Sequence, residues 1–299
     1  MMDRVTILSL SAALMVSTAF AAPAVYDTPQ SALDAFVAAL EAGDRDAVLT
    51  VFGPEAEDVV STGDEAEDRQ NRENILALYR EGYRFQPDEA GVTLVLGADS
   101  WPFPIPMART DAGWQFDLER GQEELLDRQI GRNELDVIDL LEAYVDLQAA
   151  FRLVDHDGDG VMEFASTIIS APGARDGLFW PDAPGFVGQV LARAELSGWS
   201  DGETDFEPEP FHGYYFTILH DQGASAPGGA FSYFVGDNLI AGHAMLAIPA
   251  AYGETGIHAF LVGENGVVYE AEFGEDTLAK ALDITSYDPD TDWSVVELP

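Results

Sequence analysis

The chain contains no cysteine. That excludes disulfides, thiolate catalysis, zinc held on sulfur and a lipid anchor acylated on cysteine. Basic side chains are also scarce: 14 Lys and Arg face 54 Asp and Glu, Lys280 is the only lysine, and the formal net charge is −40. Such a surface repels nucleic acid and anionic lipid headgroups, so neither is an expected partner. It serves solubility in a salty medium, where screening removes the self-repulsion; cation binding is the alternative use. The sequence also lacks a His-x-x-x-His metal spacing, a Gly-x-Ser-x-Gly elbow, a Ser-x-x-Lys pair and a P-loop. Carboxylates are so plentiful that no two stand out as a glycosidase pair.

Apolar material is sufficient for real cores: 47% of the residues are hydrophobic, which separates the chain from acidic disordered tails. One apolar run, Val5 to Phe20, follows Arg4 and ends in Ala19-Phe20-Ala21. A positive start, a short apolar stretch and small residues two apart make residues 1–21 an expected signal peptide, cleaved near Ala21. The run falls short of the roughly 18–20 residues that a bilayer span needs. No later segment is long and apolar enough to span a membrane. The expected product is therefore a soluble protein of the periplasm or the extracellular medium.

The rest reads as two α+β domains, residues 24–120 and 121–299. Thr28-Pro29 opens a helix whose apolar positions Leu33, Phe36, Val37 and Leu40 have helical spacing, and Gly43 stops it. Asp44 caps a second helix, and Ile75, Leu76 and Tyr79 mark a third. The period then changes to that of strands at 92–96, 104–108 and 114–118. The segment Ala35 to Asp44 resembles the first helix of cone-shaped NTF2-like domains. Residues 121–154 are expected to be helical, with Asn133 and Asp136 forming a capping-box-like start after Gly131. Val137, Ile138, Leu141, Tyr144, Val145, Gln148 and Phe151 make its apolar stripe. Expected strands follow at 214–219, 239–248, 257–262 and 267–273, the last two joined by a hairpin at Asn265-Gly266. A short helix over 276–282 and an irregular acidic tail complete the pattern.

The sharpest motif lies just after the long helix, at Asp155-His156-Asp157-Gly158-Asp159-Gly160-Val161-Met162-Glu163. Carboxylates at alternate positions, followed by a glycine that permits a sharp turn, wrap oxygen ligands around Ca²⁺. Asp155, Asp157 and Asp159 supply carboxylates, Val161 its carbonyl, and Glu163 a further carboxylate, directly or through water. Ser166 stands where an EF-hand has its bidentate glutamate, and 164–169 reads as extended. The expectation is an EF-like calcium loop outside an EF-hand. The alternative is an acidic turn whose glycines merely reverse the chain.

A second group comprises Arg175, Asp176 and Trp180 together with His212 and Tyr214, polar and aromatic residues near glycines that suit a pocket for a small polar ligand. A Pro/Gly loop packed by aromatics is the alternative reading.

Several stretches form one ordered series: Trp101-Pro102-Phe103-Pro104-Ile105-Pro106, Gly113-Trp114-Gln115-Phe116-Asp117, Ile130-Gly131-Arg132-Asn133-Glu134-Leu135 and the Asp155 to Glu163 loop. Pro172 to Pro181, His212-Gly213-Tyr214-Tyr215-Phe216, Ala226-Pro227-Gly228-Gly229-Ala230 and Pro249-Ala250-Ala251-Tyr252-Gly253 continue it. Their order and spacing resemble the bacterial domain of unknown function 2950 family, over nearly the whole mature chain. The resemblance implies an exported Gram-negative envelope protein and brings no established activity, so no catalytic residue is carried over. The C-terminal half also resembles pilin-like folds, in which a long helix lies on an antiparallel sheet. Together these features lead to an expected calcium-stabilised binding or scaffolding protein, with an envelope protein or a small polar ligand as partner. The competing expectation is a hydrolase using Arg175, Asp176 and His212 in a cleft between the domains.

Overall fold

The computed structural model describes residues 22–200 and 205–297; the expected signal peptide, residues 1–21, lies outside the described residues. The chain divides into two compact units, Met1–Leu125 and Leu126–Pro299, and its class is α+β. Among the described residues, no helix is long and apolar enough to cross a membrane.

The first unit opens with α1 (Pro29–Ala42). The Thr28 hydroxyl accepts the Ser31 amide at 3.1 Å, and the Ser31 hydroxyl accepts the Thr28 amide at 3.2 Å, a reciprocal cap that satisfies two otherwise orphaned donors. Gly43, at φ 63°, takes the left-handed conformation that ends the helix. The stripe Leu33, Phe36, Val37 and Leu40 is buried as its spacing predicts. Helices α2 (Arg45–Phe52), α3 (Glu57–Val60) and α4 (Glu65–Glu81) follow, and Asp44 and Asp64 cap α2 and α4 through their carboxylates.

Five strands then form an antiparallel sheet: β1 (Tyr83–Pro87), β2 (Gly91–Leu96), β3 (Trp101–Pro102), β4 (Met107–Thr110) and β5 (Gly113–Phe116). Their order is β1-β2-β4-β5, with β3 also paired to β2. Phe36, Phe52, Phe103 and Phe116 make one aromatic core, with ring centroids as close as 4.9 Å between Phe52 and Phe116. Strand β1 is not among the expected strands, because its Tyr-Arg-Phe-Gln alternation is short and only Phe85 is half-buried against the core. Leu118, expected at the end of a strand, instead begins α5 (Leu118–Phe151).

Helix α5 runs unbroken through Gly131, where sequence reading placed a helix start. One glycine costs a helix about 1 kcal/mol relative to alanine, too little to break a helix whose stripe Val137, Ile138, Leu141, Tyr144 and Phe151 is buried. Its polar residues point elsewhere. Asn133 donates to the Thr255 carbonyl at 2.9 Å, and Asp136 meets His212 Nδ1 at 2.7 Å.

Strands β6 (Thr167–Ile169) and β7 (Gly177–Phe179) pair in parallel, and α6 (Gln189–Ala192), β8 (Trp199–Ser200) and β9 (Asp205–Phe206) follow. The main sheet of the second unit begins at β10 (Tyr214–Leu219). Short strands β11 (Asp221–Gln222), β12 (Phe231–Ser232), β13 (Phe234–Val235) and β14 (Asn238–Leu239) lead to β15 (Ala244–Pro249), β16 (Ala259–Gly263) and β17 (Val268–Ala271). After α7 (Thr277–Leu282) the acidic tail contributes β18 (Ser294–Val295), and the antiparallel order is β10-β15-β16-β17-β18.

Strands β15 and β16 are buried along their whole length, so both faces of the sheet are covered. Met245, Ala247, Phe260 and Val262 pack with Val137, Ile138, Leu141 and Tyr144 of α5. Their neighbours Leu246, Ile248 and Leu261 pack on the opposite face with Ala281 and Tyr287. This is the period-two alternation of a strand between two layers.

Candidate functional site

The acidic loop begins where α5 ends. Asp155, Asp157 and Asp159 each bring one carboxylate oxygen into a group whose members lie within 4.8 Å of one another. Loop amides organise these groups. Asp155 accepts Gly158 N–H at 2.7 Å and Gly160 N–H at 2.9 Å, Asp157 accepts Asp159 N–H at 3.1 Å, and Asp159 accepts Val161 N–H at 2.7 Å. Gly158 and Gly160 stand at φ 80° and 92°, where a side chain would be strained. The Gly160 amide foremost, with its neighbours, holds the Asp155 carboxyl below the usual carboxylate range. An ionised carboxylate has about four lone-pair sites, so oxygens committed to one or two amides retain capacity for a cation. Glu163 turns its carboxyl to the Leu239 amide at 3.2 Å. Burial, followed by the charges of Asp157, Asp159 and Asp176, outweighs that bond and raises the Glu163 pKa. Val161 anchors its amide on Asp159 as described.

Both ends of the loop are tied down. Gln148, fully buried near the end of α5, accepts the Ala165 amide at 2.8 Å and donates to the Ala165 carbonyl at 2.9 Å. The Phe164 amide donates to the Leu239 carbonyl at 2.8 Å, and Asn238 donates to the Asp159 carboxylate. His156 turns away from the carboxylates. Its Nε2–H donates to the Phe151 carbonyl at 3.0 Å, and its ring packs against Phe151, Trp180 and Phe186.

The second group of sequence-predicted residues divides between two places. Arg175 makes a two-pronged pair with Asp182, at 2.8 and 3.3 Å, and lies 4.9 Å over the Trp180 ring; Trp180 Nε1 donates to the Gly177 carbonyl. The guanidinium, chiefly through its hydrogen bond, lowers the Asp182 pKa. The Asp176 carbonyl accepts the Ser166 amide at 2.8 Å, while its Oδ1 is buried without a partner.

His212 occupies a tight turn, at φ 48° beside Gly213 at 75°, in which Phe211 and Tyr214 exchange two backbone hydrogen bonds. Tyr214 is wholly buried and donates its hydroxyl to the His258 carbonyl at 2.9 Å. Among the described residues, neither Arg175 nor Asp176 makes a hydrogen bond or ion pair with His212. Next to this turn, Glu134 of α5 accepts the Ile257 and His258 amides at 2.8 and 2.9 Å and meets His258 Nδ1 at 3.2 Å.

A third feature gave no signal in the sequence. A cavity of about 430 Å³ opens between β6, the segment preceding Gly198 and the end of β10. Ser166, Thr167, Ser170, Ser197, Thr217 and His220 line it around Glu195, which is only 8% exposed. Glu195 reaches this position because its segment pairs in parallel with β10: Leu196 N–H donates to the Phe216 carbonyl and Phe216 N–H to the Ala194 carbonyl, both at 2.8 Å. Burial pushes the Glu195 pKa up to about 7, against the opposing pull of the Thr217 and Ser197 hydroxyls. A single glutamate among so many acidic residues has nothing in its spacing to mark it. The pairing that buries it is formed only in the folded chain.

A family model described as Protein of unknown function (DUF2950) matches residues 23–296. No curated protein and no solved structure matches the chain.

Proposed function

The chain belongs to the DUF2950 protein family, and we propose that it is an exported, calcium-stabilised binding or scaffolding protein of the Gram-negative cell envelope. The calcium reading rests on one observation: three alternate carboxylates, oriented by their own loop amides, converge within 4.8 Å. Like charges that close repel one another, and a divalent cation relieves the repulsion while receiving oxygen ligands at the spacing a calcium loop uses. Asp155, Asp157 and Asp159 are the ligands, with the Val161 carbonyl and Glu163 completing the set when the ion is held. Outside the cytoplasm calcium is plentiful, which fits a cysteine-free chain that needs no oxidative folding.

Export is supported by Arg4, the apolar run to Phe20 and the Ala19-Phe20-Ala21 ending. Binding rather than hydrolysis is supported by the separate engagement of Arg175 by Asp182 and His212 by Asp136.

Calorimetric titration of Ca²⁺ into wild type and Asp157→Asn tests the metal reading. The variant keeps an oxygen for the Asp159 amide and loses the charge, so its affinity should fall roughly tenfold or more. Equal affinity in the two proteins contradicts the assignment.

A further inference from the structure

We propose that the cavity around Glu195 is a binding site for a small hydroxylated organic amine, with Glu195 receiving the ammonium group. The inference rests on the reading of the chain as a binding protein and is independent of the calcium loop. Four observations lead to it.

First, Glu195 is a nearly buried carboxyl at an open cavity large enough for a small organic molecule. Second, Glu195 is hydrogen-bonded by the Thr217 and Ser197 hydroxyls and the Ser197 and Ile168 amides, but among the described residues no lysine or arginine lines the cavity, so a full counter-charge comes from a proton or from a ligand. Arg193 on the same segment is held by both carboxylate oxygens of Glu209, at 3.0 and 3.1 Å. Third, the lining is rich in acceptors and hydroxyls. His220 Nε2 lies 2.7 Å from the Ser166 carbonyl, an acceptor only, so Nε2 carries a hydrogen and donates it there. The Ser197 hydroxyl, 3.3 Å from the Glu195 carboxylate, lies on the same wall. Fourth, the net charge of −40 draws cations towards the molecule and repels anions. A ligand rich in donors, carrying one ammonium and several hydroxyls, complements all four.

The carboxyl's preference for its neutral form adds a proton linkage. An ammonium stabilises the ionised form, so binding releases a proton and strengthens as pH rises through about 7. The titratable and charged groups on the segments around Glu195 are Arg193 on its own segment, Tyr214 and Tyr215 on β10, His220 following β10 and Asp176, whose carbonyl accepts the Ser166 amide.

The test compares 1-amino-1-deoxysorbitol with sorbitol, which differ by an ammonium in place of one hydroxyl. Affinities are measured calorimetrically on the mature chain in moderate salt at pH 5.5 and pH 8, where the amine stays protonated. The amine should bind roughly tenfold or more tightly than the polyol at pH 8. Its affinity should drop roughly thirtyfold at pH 5.5, the change in ionised fraction of a carboxyl titrating near 7. Glu195→Gln should abolish the preference, although it alters only one of 54 acidic residues. Ala171→Trp, which fills the exposed rim of the cavity and leaves Glu195 in place, should abolish binding of both compounds. Equal affinity for the two compounds, binding of neither, or a preference that survives either substitution overturns the proposal. Such a failure, with the calcium titration unchanged, leaves the metal reading standing.

Discussion

Replacing Gln148 with leucine removes the clamp that joins α5 to the residue just after the acidic loop. Gln148 is fully buried, and its side-chain amide accepts the Ala165 N–H at 2.8 Å, donates to the Ala165 carbonyl at 2.9 Å and donates to the Tyr144 hydroxyl at 3.0 Å. Leucine keeps most of the volume and none of the polarity. Tyr144 retains a partner, because its hydroxyl still donates to the Ala244 carbonyl at 3.2 Å. Ala165, also fully buried, is left with an unsatisfied donor and acceptor. Each such group costs about 1–3 kcal/mol, so the substitution should destabilise the second unit by about 2–6 kcal/mol. At about 2–4 °C per kcal/mol for a unit of this size, the centre of that range lowers Tm by roughly 8–16 °C. Differential scanning calorimetry of both proteins at pH 7 in calcium reads the shift. A drop of less than about 3 °C would refute the reasoning, since it would mean that Ala165 finds other partners.

Two further predictions concern other parts of the molecule. Phe116→Ala empties the centre of the first unit's aromatic core, where the ring meets Phe36, Phe52 and Phe103; urea unfolding should show a loss of about 3–5 kcal/mol, and a loss below about 1 kcal/mol contradicts the packing described. Glu134→Gln tests the ion pair with His258 through pH. Burial alone raises the Glu134 pKa, but the His258 side chain and the His258 and Ile257 amides outweigh it and bring the net value below the ordinary 4.5. The Glu134 hydrogen bond foremost raises His258 above 6.5. The carboxylate's contribution is present above 4.5 and is lost as pH falls through its lowered value. The histidine's is present below 6.5 and is lost as pH rises through its raised value. The Tm gap between wild type and Glu134→Gln should therefore be widest between about pH 4.5 and 6.5 and narrow above it; a gap that stays constant from pH 5 to 8 rules out the pair.

Local chemistry was the most legible part of the sequence. Thr28, Pro29 and Gly43 announce α1, because caps and terminators act within a few residues. The apolar runs of β15 and β16 announce buried strands. Alternate aspartates followed by Gly160 announce the clustered carboxylates, since side chains of neighbouring residues meet in a tight turn whatever the rest of the fold does. What stayed hidden depends on tertiary partners. Gln148 reads as one more member of an apolar stripe until Ala165 folds against it. Asn133 and Asp136 read as a helix start, yet they reach segments more than seventy residues away in sequence. Strand β1 leaves only a short Tyr-Arg-Phe-Gln alternation with Phe85 half-buried, and Glu195 becomes distinctive only when its segment pairs with β10.

The central claim is that the Asp155 to Glu163 loop holds calcium and that the ion stabilises the fold. The most direct test is the melting temperature of calcium-loaded protein before and after addition of excess EGTA, with Asp157→Asn measured in parallel. With calcium at about a hundredfold excess over its Kd, chelation should lower the wild-type Tm by roughly 5–10 °C and leave the variant nearly unmoved. An unchanged wild-type Tm would contradict the claim.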